Sequence, residues 1–192
     1  LTNAGPANNT MDLSEASIKL TNTGTVNNEE GAKLALGTVT NTSGTINNAS
    51  GAELLANGTA ALALSGTVNN DGTFTNENTK GLTIGSGFTQ SDTGILQNTE
   101  GAQLTISAGA SLAGTLTNEG SVTNSAAVSD VTLNNSGTFT NEAKASLTLA
   151  SGSTNTGTIT NKASGTITLA SGLKDLGGTI TNAGIVPPRS FR

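Results

Sequence analysis

Glycine returns about every seven residues along most of this chain, and that beat limits the fold more than any other feature. It falls at Gly24, Gly31, Gly37, Gly44, Gly51, Gly58, Gly66, Gly72, Gly81, Gly87, Gly94 and Gly101. It resumes at Gly109, Gly114, Gly120 and Gly137, then at Gly152, Gly157, Gly165, Gly172, Gly178 and Gly184. One motif, Gly-Thr-apolar-Thr/Asn-Asn, follows many of these glycines: GTVNN at 24, GTINN at 44, GTVNN at 66, GTFTN at 72, GTLTN at 114, GTITN at 157 and 178. Self-similarity at a short fixed period marks a solenoid, in which each unit buries its apolar face only against its neighbours.

The units alternate with period two. Val39 stands between Thr38 and Thr40, and Leu34 and Leu36 alternate with Lys33 and Ala35. Alternation with β-branched residues predicts strands of about four to five residues. Helix is excluded, since a glycine every seven residues costs about 1 kcal/mol each and Thr and Asn are poor helix formers. Gly and Asn at the bends tolerate the positive φ that corners need.

A longer beat groups the units. The best motif copies start at 24, 44, 66, 94, 114, 137, 157 and 178, and apolar residues opening an L-x-L-like pair recur at Leu34, Leu54, Leu82, Leu104, Leu147 and Ile167. Three sides of about seven residues give a coil of about 20–21; a flattened two-sided coil fits the same spacing. The step from 66 to 94 is one side too long, which requires a phase slip or an intruding loop. The expected fold is an all-β parallel β-solenoid over residues 1–186, with about eight to nine coils and a length of ~40 Å at ~4.8 Å per coil.

Composition agrees with a narrow core. Hydrophobic residues are 33% of the 192, with four Phe and no Trp or Tyr, against roughly 45–50% apolar in ordinary domains. The expected inward column is Val26, Ile46, Val68, Phe74, Leu116, Phe139, Ile159 and Ile180. Asn at the strand ends, at Asn28, Asn48, Asn70, Asn118, Asn141, Asn161 and Asn182, is expected to stack as a hydrogen-bonded amide ladder. Glycan binding is the functional alternative for these amides.

Runs such as TNTGTVNNEEGAKLAL and TNTGTITNKASGTITLASG resemble the passenger regions of bacterial autotransporters and filamentous-haemagglutinin-like secreted adhesins. Those families carry right-handed parallel β-helices built from loosely repeated N-x-G-x-I and L-x-L segments. The resemblance covers residues 1–186 and implies secretion, display at a bacterial surface, and a structural or adhesive role toward a host or bacterial ligand.

Other classes fit poorly. Net charge is −5, and the only two Arg, Arg189 and Arg192, sit in the last four residues. No basic stripe or stacking aromatic is available to nucleic acid. There is no Cys or His, so thiolate zinc sites and cysteine nucleophiles are excluded. No apolar run approaches the ~20 residues of a membrane-spanning helix. Carboxylates are spread singly, Asp71 and Glu77 being the nearest pair at a bend, while acid–base catalysis needs two positioned groups. No enzyme activity, cofactor or metal is expected. Glu29, Asp71, Glu77, Glu119 and Glu142 each lie five residues after a motif Gly, with Lys162 in the same place. Stacking is expected to bring some of them to one solvated edge that discourages lateral pairing.

Thr-x-Thr recurs at Thr38/Thr40, Thr73/Thr75, Thr115/Thr117, Thr138/Thr140, Thr158/Thr160, Thr166/Thr168 and Thr179/Thr181. Outward threonines would stand ~4.8 Å apart between coils and ~6.7 Å apart along a strand, an arrangement similar to ice-binding solenoids. LTNAG at 1–5 matches LTNTG at 20–24, so the chain begins within a coil. Either the solenoid continues in a longer chain, or copies stack end to end into an extracellular fibre. In the fibre, the tail at 187–192 contributes Pro187 and Pro188 to stop the strand and Phe191 as an anchor.

Overall fold

The computed structural model of the chain describes residues 1–41, 43–169 and 177–183. Pro187, Pro188 and Phe191 lie outside the described residues. Within them every regular element is a strand and every pairing is parallel. The strands form three sheets. One has six strands, from Pro6–Asn9 through Thr25–Asn28, Thr45–Asn48, Thr67–Asn70 and Phe88–Gln90 to Ser111–Leu112. A seven-stranded sheet runs from Leu62–Ala63 to Thr179–Asn182, and an eleven-stranded sheet runs from Thr2–Asn3 to Thr166–Leu169. From Thr45 to Asn124 the chain visits the three sheets in strict rotation, so the coil is three-sided. About nine turns stack into one β-solenoid.

The strands owe their shortness to what points inward. In Thr-Ile-Asn-Asn at 45–48, Ile46 and Asn48 are buried while Thr45 and Asn47 are half-buried on the outside. A Leu-x-Leu side uses the same two inward places for two apolar groups, as in Leu34 and Leu36. The two sequence signals are therefore two kinds of side: one inward pair is apolar plus amide, the other doubly apolar. Each full burial of an aliphatic side chain contributes roughly 1.5–3 kcal/mol.

The apolar residues line up in three stacks rather than one column. Val26, Ile46, Val68 and Phe88 pair in register on the six-stranded sheet. Leu34, Leu54, Phe74, Leu96, Leu116 and Leu133 stack on the eleven-stranded sheet. Leu62, Leu82, Leu104, Val122, Phe139, Ile159 and Ile180 form the third. Side chains from the three meet on the axis in one continuous core, except Ile180, which is 38% exposed instead of buried as expected. Within the core Phe74 and Phe88 approach with ring centroids 6.0 Å apart and planes tilted by 37°.

This corrects the single inward column expected from Val26 to Ile180. The motif is a property of a side, not of a particular side, so it moves from sheet to sheet as the chain ascends. The long step from 66 to 94 has the same origin. The GTVNN unit at 66 leads into the six-stranded sheet, whereas Ile95–Asn98 after Gly94 joins the eleven-stranded one. The phase slips and no loop intrudes; Val68 still lies against Phe88 twenty residues on.

The eleven-stranded sheet is wide because three long strands, Asp12–Asn22, Lys33–Thr40 and Ala127–Asn135, run round a corner. The two halves of Ala127–Asn135 pair with different strands, Val128 with Leu147 but Asn135 with Asn155. Asp130, at φ 58, turns the corner inside Ala127–Asn135. Elsewhere glycine does this. Gly66 sits at φ 72, where an added Cβ would collide with the Asn41 carbonyl oxygen of the coil below.

Candidate functional site

The amides that end the strands are the most organised polar groups in the molecule, and their partners decide what they can do. On the six-stranded sheet Asn9 donates through Nδ2 to Oδ1 of Asn28 at 2.8 Å, Asn28 to Asn48 at 2.8 Å, and Asn48 to Asn70 at 2.8 Å. Gln90 ends the run, its longer side chain reaching the Ala113 carbonyl at 2.6 Å. A second run climbs the eleven-stranded sheet from Asn76 through Asn98, Asn118 and Asn135 to Asn155, each step 2.6–2.8 Å. A third links Asn124, Asn141, Asn161 and Asn182 at 2.8 Å per step. A short fourth joins Asn3, Asn22 and Asn41.

The seven asparagines read from the sequence thus fall into three separate runs: Asn28, Asn48 and Asn70; Asn118; and Asn141, Asn161 and Asn182. They do not share one column, for the same reason that the apolar residues do not. The links from Asn9 to Asn70 and from Asn76 to Asn155 are buried. Each amide also bonds backbone carbonyls, as Asn28 does with Glu53 at 2.8 Å and Asn141 with Thr166 at 3.2 Å. Satisfied on every side and turned to the core, Asn28, Asn48, Asn70, Asn118, Asn141 and Asn161 offer nothing to a glycan.

The corner charges spread over three edges instead of one. Backbone N–H groups of Glu29 and Asp71 bond Asn9 and Asn48, placing them on one edge with Ala49 between. Glu77 and Glu119 stand on a second edge, bonded to Ala56 and Asn98, with Thr99 between. Glu142 and Lys162 are neighbours on a third, where the Lys162 ammonium donates to both carboxylate oxygens at 2.7 and 2.8 Å. Exposed as it is, this pair is worth well under about 1 kcal/mol. Asp71 and Glu77 flank opposite ends of the strand Thr73–Asn76, about 20 Å of extended chain apart, so they do not build one acid–base site.

No family model, curated protein or solved structure matches this chain.

Thr-x-Thr pairs sit on two sheets. Thr38/Thr40, Thr73/Thr75, Thr115/Thr117 and Thr166/Thr168 belong to the eleven-stranded sheet. Thr138/Thr140, Thr158/Thr160 and Thr179/Thr181 occupy successive coils of the seven-stranded sheet in exact register, Thr138 against Thr158 against Thr179. Thr123 and Thr105 extend the second row downward.

Asn27, Asn47 and Asn69 interrupt the outward threonines of the Thr-x-Thr pattern. Asn8, Asn27, Asn47 and Asn69 also stack in register, on the outside of the six-stranded sheet. Their signal was the Asn-Asn dipeptide at 8–9, 27–28, 47–48 and 69–70: period two sends the first amide outward and the second inward.

Proposed function

We propose that this chain is a non-enzymatic rod displayed at a bacterial surface, serving as a structural or adhesive element. The observation that carries this reading is the continuity of the stack. Backbone hydrogen bonds join each described coil to the next from Thr2 to Asn182, and a single apolar core runs through the coils from Leu13 to Leu169. Such an architecture holds whatever it carries at a fixed distance and resists shortening, because any bend must break inter-coil bonds. The resemblance of its runs to secreted adhesins supports the location.

Antibodies raised against the purified chain should label intact cells of the producing bacterium. Labelling that requires permeabilisation would overturn the reading.

A second reading, ice binding, draws on the six threonines at 138, 140, 158, 160, 179 and 181, which form a regular two-column array on one sheet.

A further inference from the structure

We infer that the outer amide ladder of the six-stranded sheet is a binding groove for an extended oligosaccharide bearing amino groups. The inference rests on the adhesive half of the proposed function and names the ligand class.

The ladder is preorganised. Asn27 donates through Nδ2 to Oδ1 of Asn8 at 2.9 Å, Asn47 to Asn27 at 2.8 Å, and Asn69 to Asn47 at 2.8 Å. An amide has two N–H donors and two lone pairs on oxygen. The ladder bonds use one of each on Asn27 and Asn47, leaving one donor and one acceptor per coil at the surface. Asn27, Asn47 and Asn69 are half-buried and line a groove of about 400 Å³ along the rod axis. Because the ladder already fixes each side-chain torsion, a ligand bound there loses little further rotamer entropy.

A row of alternating donors and acceptors repeating every ~4.8 Å suits a chain whose own hydroxyls alternate in the same way. A glycan lying along the axis is such a chain. Thr89 continues the polar row beyond Asn69 with a hydroxyl, and Ser91 continues the rim of Glu29, Ala49 and Asp71.

Charge selects among glycans. Glu29 and Asp71 stand on the rim two coils apart, about 10 Å, and no Lys or Arg lines the groove. Acidic sugars are repelled, neutral ones bind through the amides alone, and amino sugars gain two carboxylates. With no Trp or Tyr in the chain to stack on a sugar ring, a single groove should bind weakly, with a Kd on the order of 1 mM. Clustering of rods on a surface would multiply that affinity.

The test is a titration of the full chain, followed by NMR shifts or calorimetry, with three hexamers: glucosamine, N-acetylglucosamine and galacturonate. The glucosamine hexamer should bind best, the acetylated one several-fold more weakly and the acidic one not at all. Asn47→Ala should weaken glucosamine binding at least fivefold without moving the melting temperature by more than a few degrees. Should that variant melt early, Glu29→Gln with Asp71→Asn, both at corners outside the core, must erase the preference for the amine. Absence of binding by both uncharged and amine hexamers would overturn the inference, as would binding unchanged by either variant. Surface labelling is independent of these titrations, so a failure of location and a failure of the groove are told apart.

Discussion

Asn98 donates its side-chain Nδ2–H to Oδ1 of Asn118 at 2.8 Å, with both amides sealed inside the solenoid. Asn98 in turn accepts from Asn76 at 2.7 Å and donates to the Ser121 carbonyl at 3.2 Å. Its removal strips partners from groups that water cannot reach. Asn98→Ala should therefore destabilise the chain by about 2–3 kcal/mol, the range for orphaned buried polar groups.

The end of a run should behave differently. Asn124 has Ile106 in register beneath it, so it has no amide partner on that side; its bonds go to Asn141, to the Ser146 and Ala126 carbonyls and, as acceptor, to the Ala126 N–H. Asn124→Leu keeps the side-chain volume and extends the aliphatic run of Ile84 and Ile106, so it should cost less than Asn98→Ala, which leaves both a cavity and orphaned amides. Urea denaturation of both variants decides; equal losses would mean that position along a ladder is energetically irrelevant.

Two glycines with nearly the same backbone test what the corners require. Gly66 at φ 72 and Gly101 at φ 78 are both left-handed, but a Cβ on Gly101 meets open space while one on Gly66 meets the backbone oxygens of Asn41 and Gly44. Gly101→Ala should cost about 1–2 kcal/mol, the conformational penalty alone. Gly66→Ala adds a clash that only a shift of the neighbouring coil relieves, and should exceed about 3 kcal/mol. Similar losses at the two sites, measured by thermal melting, would put the whole cost in φ and none in the close approach of coils.

Much of this was legible in the sequence. Seven-residue spacing with period-two alternation specifies short strands and glycine bends, and the structure builds those from Thr25–Asn28 to Thr179–Asn182. The assignment of each unit to a side was not legible, because coil length drifts. Leu116 lies against Leu133, seventeen residues on, whereas Phe74 lies against Leu96, twenty-two on. A five-residue drift approaches one whole side, so similar motifs separated by several coils land on different sheets. Only the register of backbone pairing carries that information, and it depends on contacts between residues far apart in the chain. Alternation places Asn27, Asn47 and Asn69 outward, where they interrupt the Thr-x-Thr pattern, but that they bond to one another depends on the same inter-coil register.

Inside and outside are separable at adjacent residues. Ile159 is buried in register between Phe139 and Ile180, while Thr158 is half-buried on the outer face. Ile159→Asp places a carboxylate among aliphatic groups with no partner and should cost at least about 3 kcal/mol. Thr158→Ser keeps the hydroxyl and removes one half-exposed methyl, so it should stay within about 0.5 kcal/mol. Circular dichroism melts of the two variants would expose an inverted assignment at once, as equal tolerance.

The threonine array makes a prediction that the rod reading does not. Thr138, Thr158 and Thr179 stack in one column and Thr140, Thr160 and Thr181 in the next, on strands whose inward residues Phe139 and Ile159 are fixed in the core. Rigid hydroxyl and methyl groups at ~4.8 by ~6.7 Å can order water only if the plane is free of bulky side chains. Replacing the central threonine should then matter most. On the ice-binding reading, the purified chain shows thermal hysteresis, and Thr160→Leu sharply reduces it without lowering the melting temperature of the fold. The Thr-x-Thr pairs of the eleven-stranded sheet provide the control, since Thr117→Leu leaves the array intact. Hysteresis absent at high protein concentration, or lost equally in both variants, removes ice from consideration and leaves the threonines as residues suited to an exposed strand.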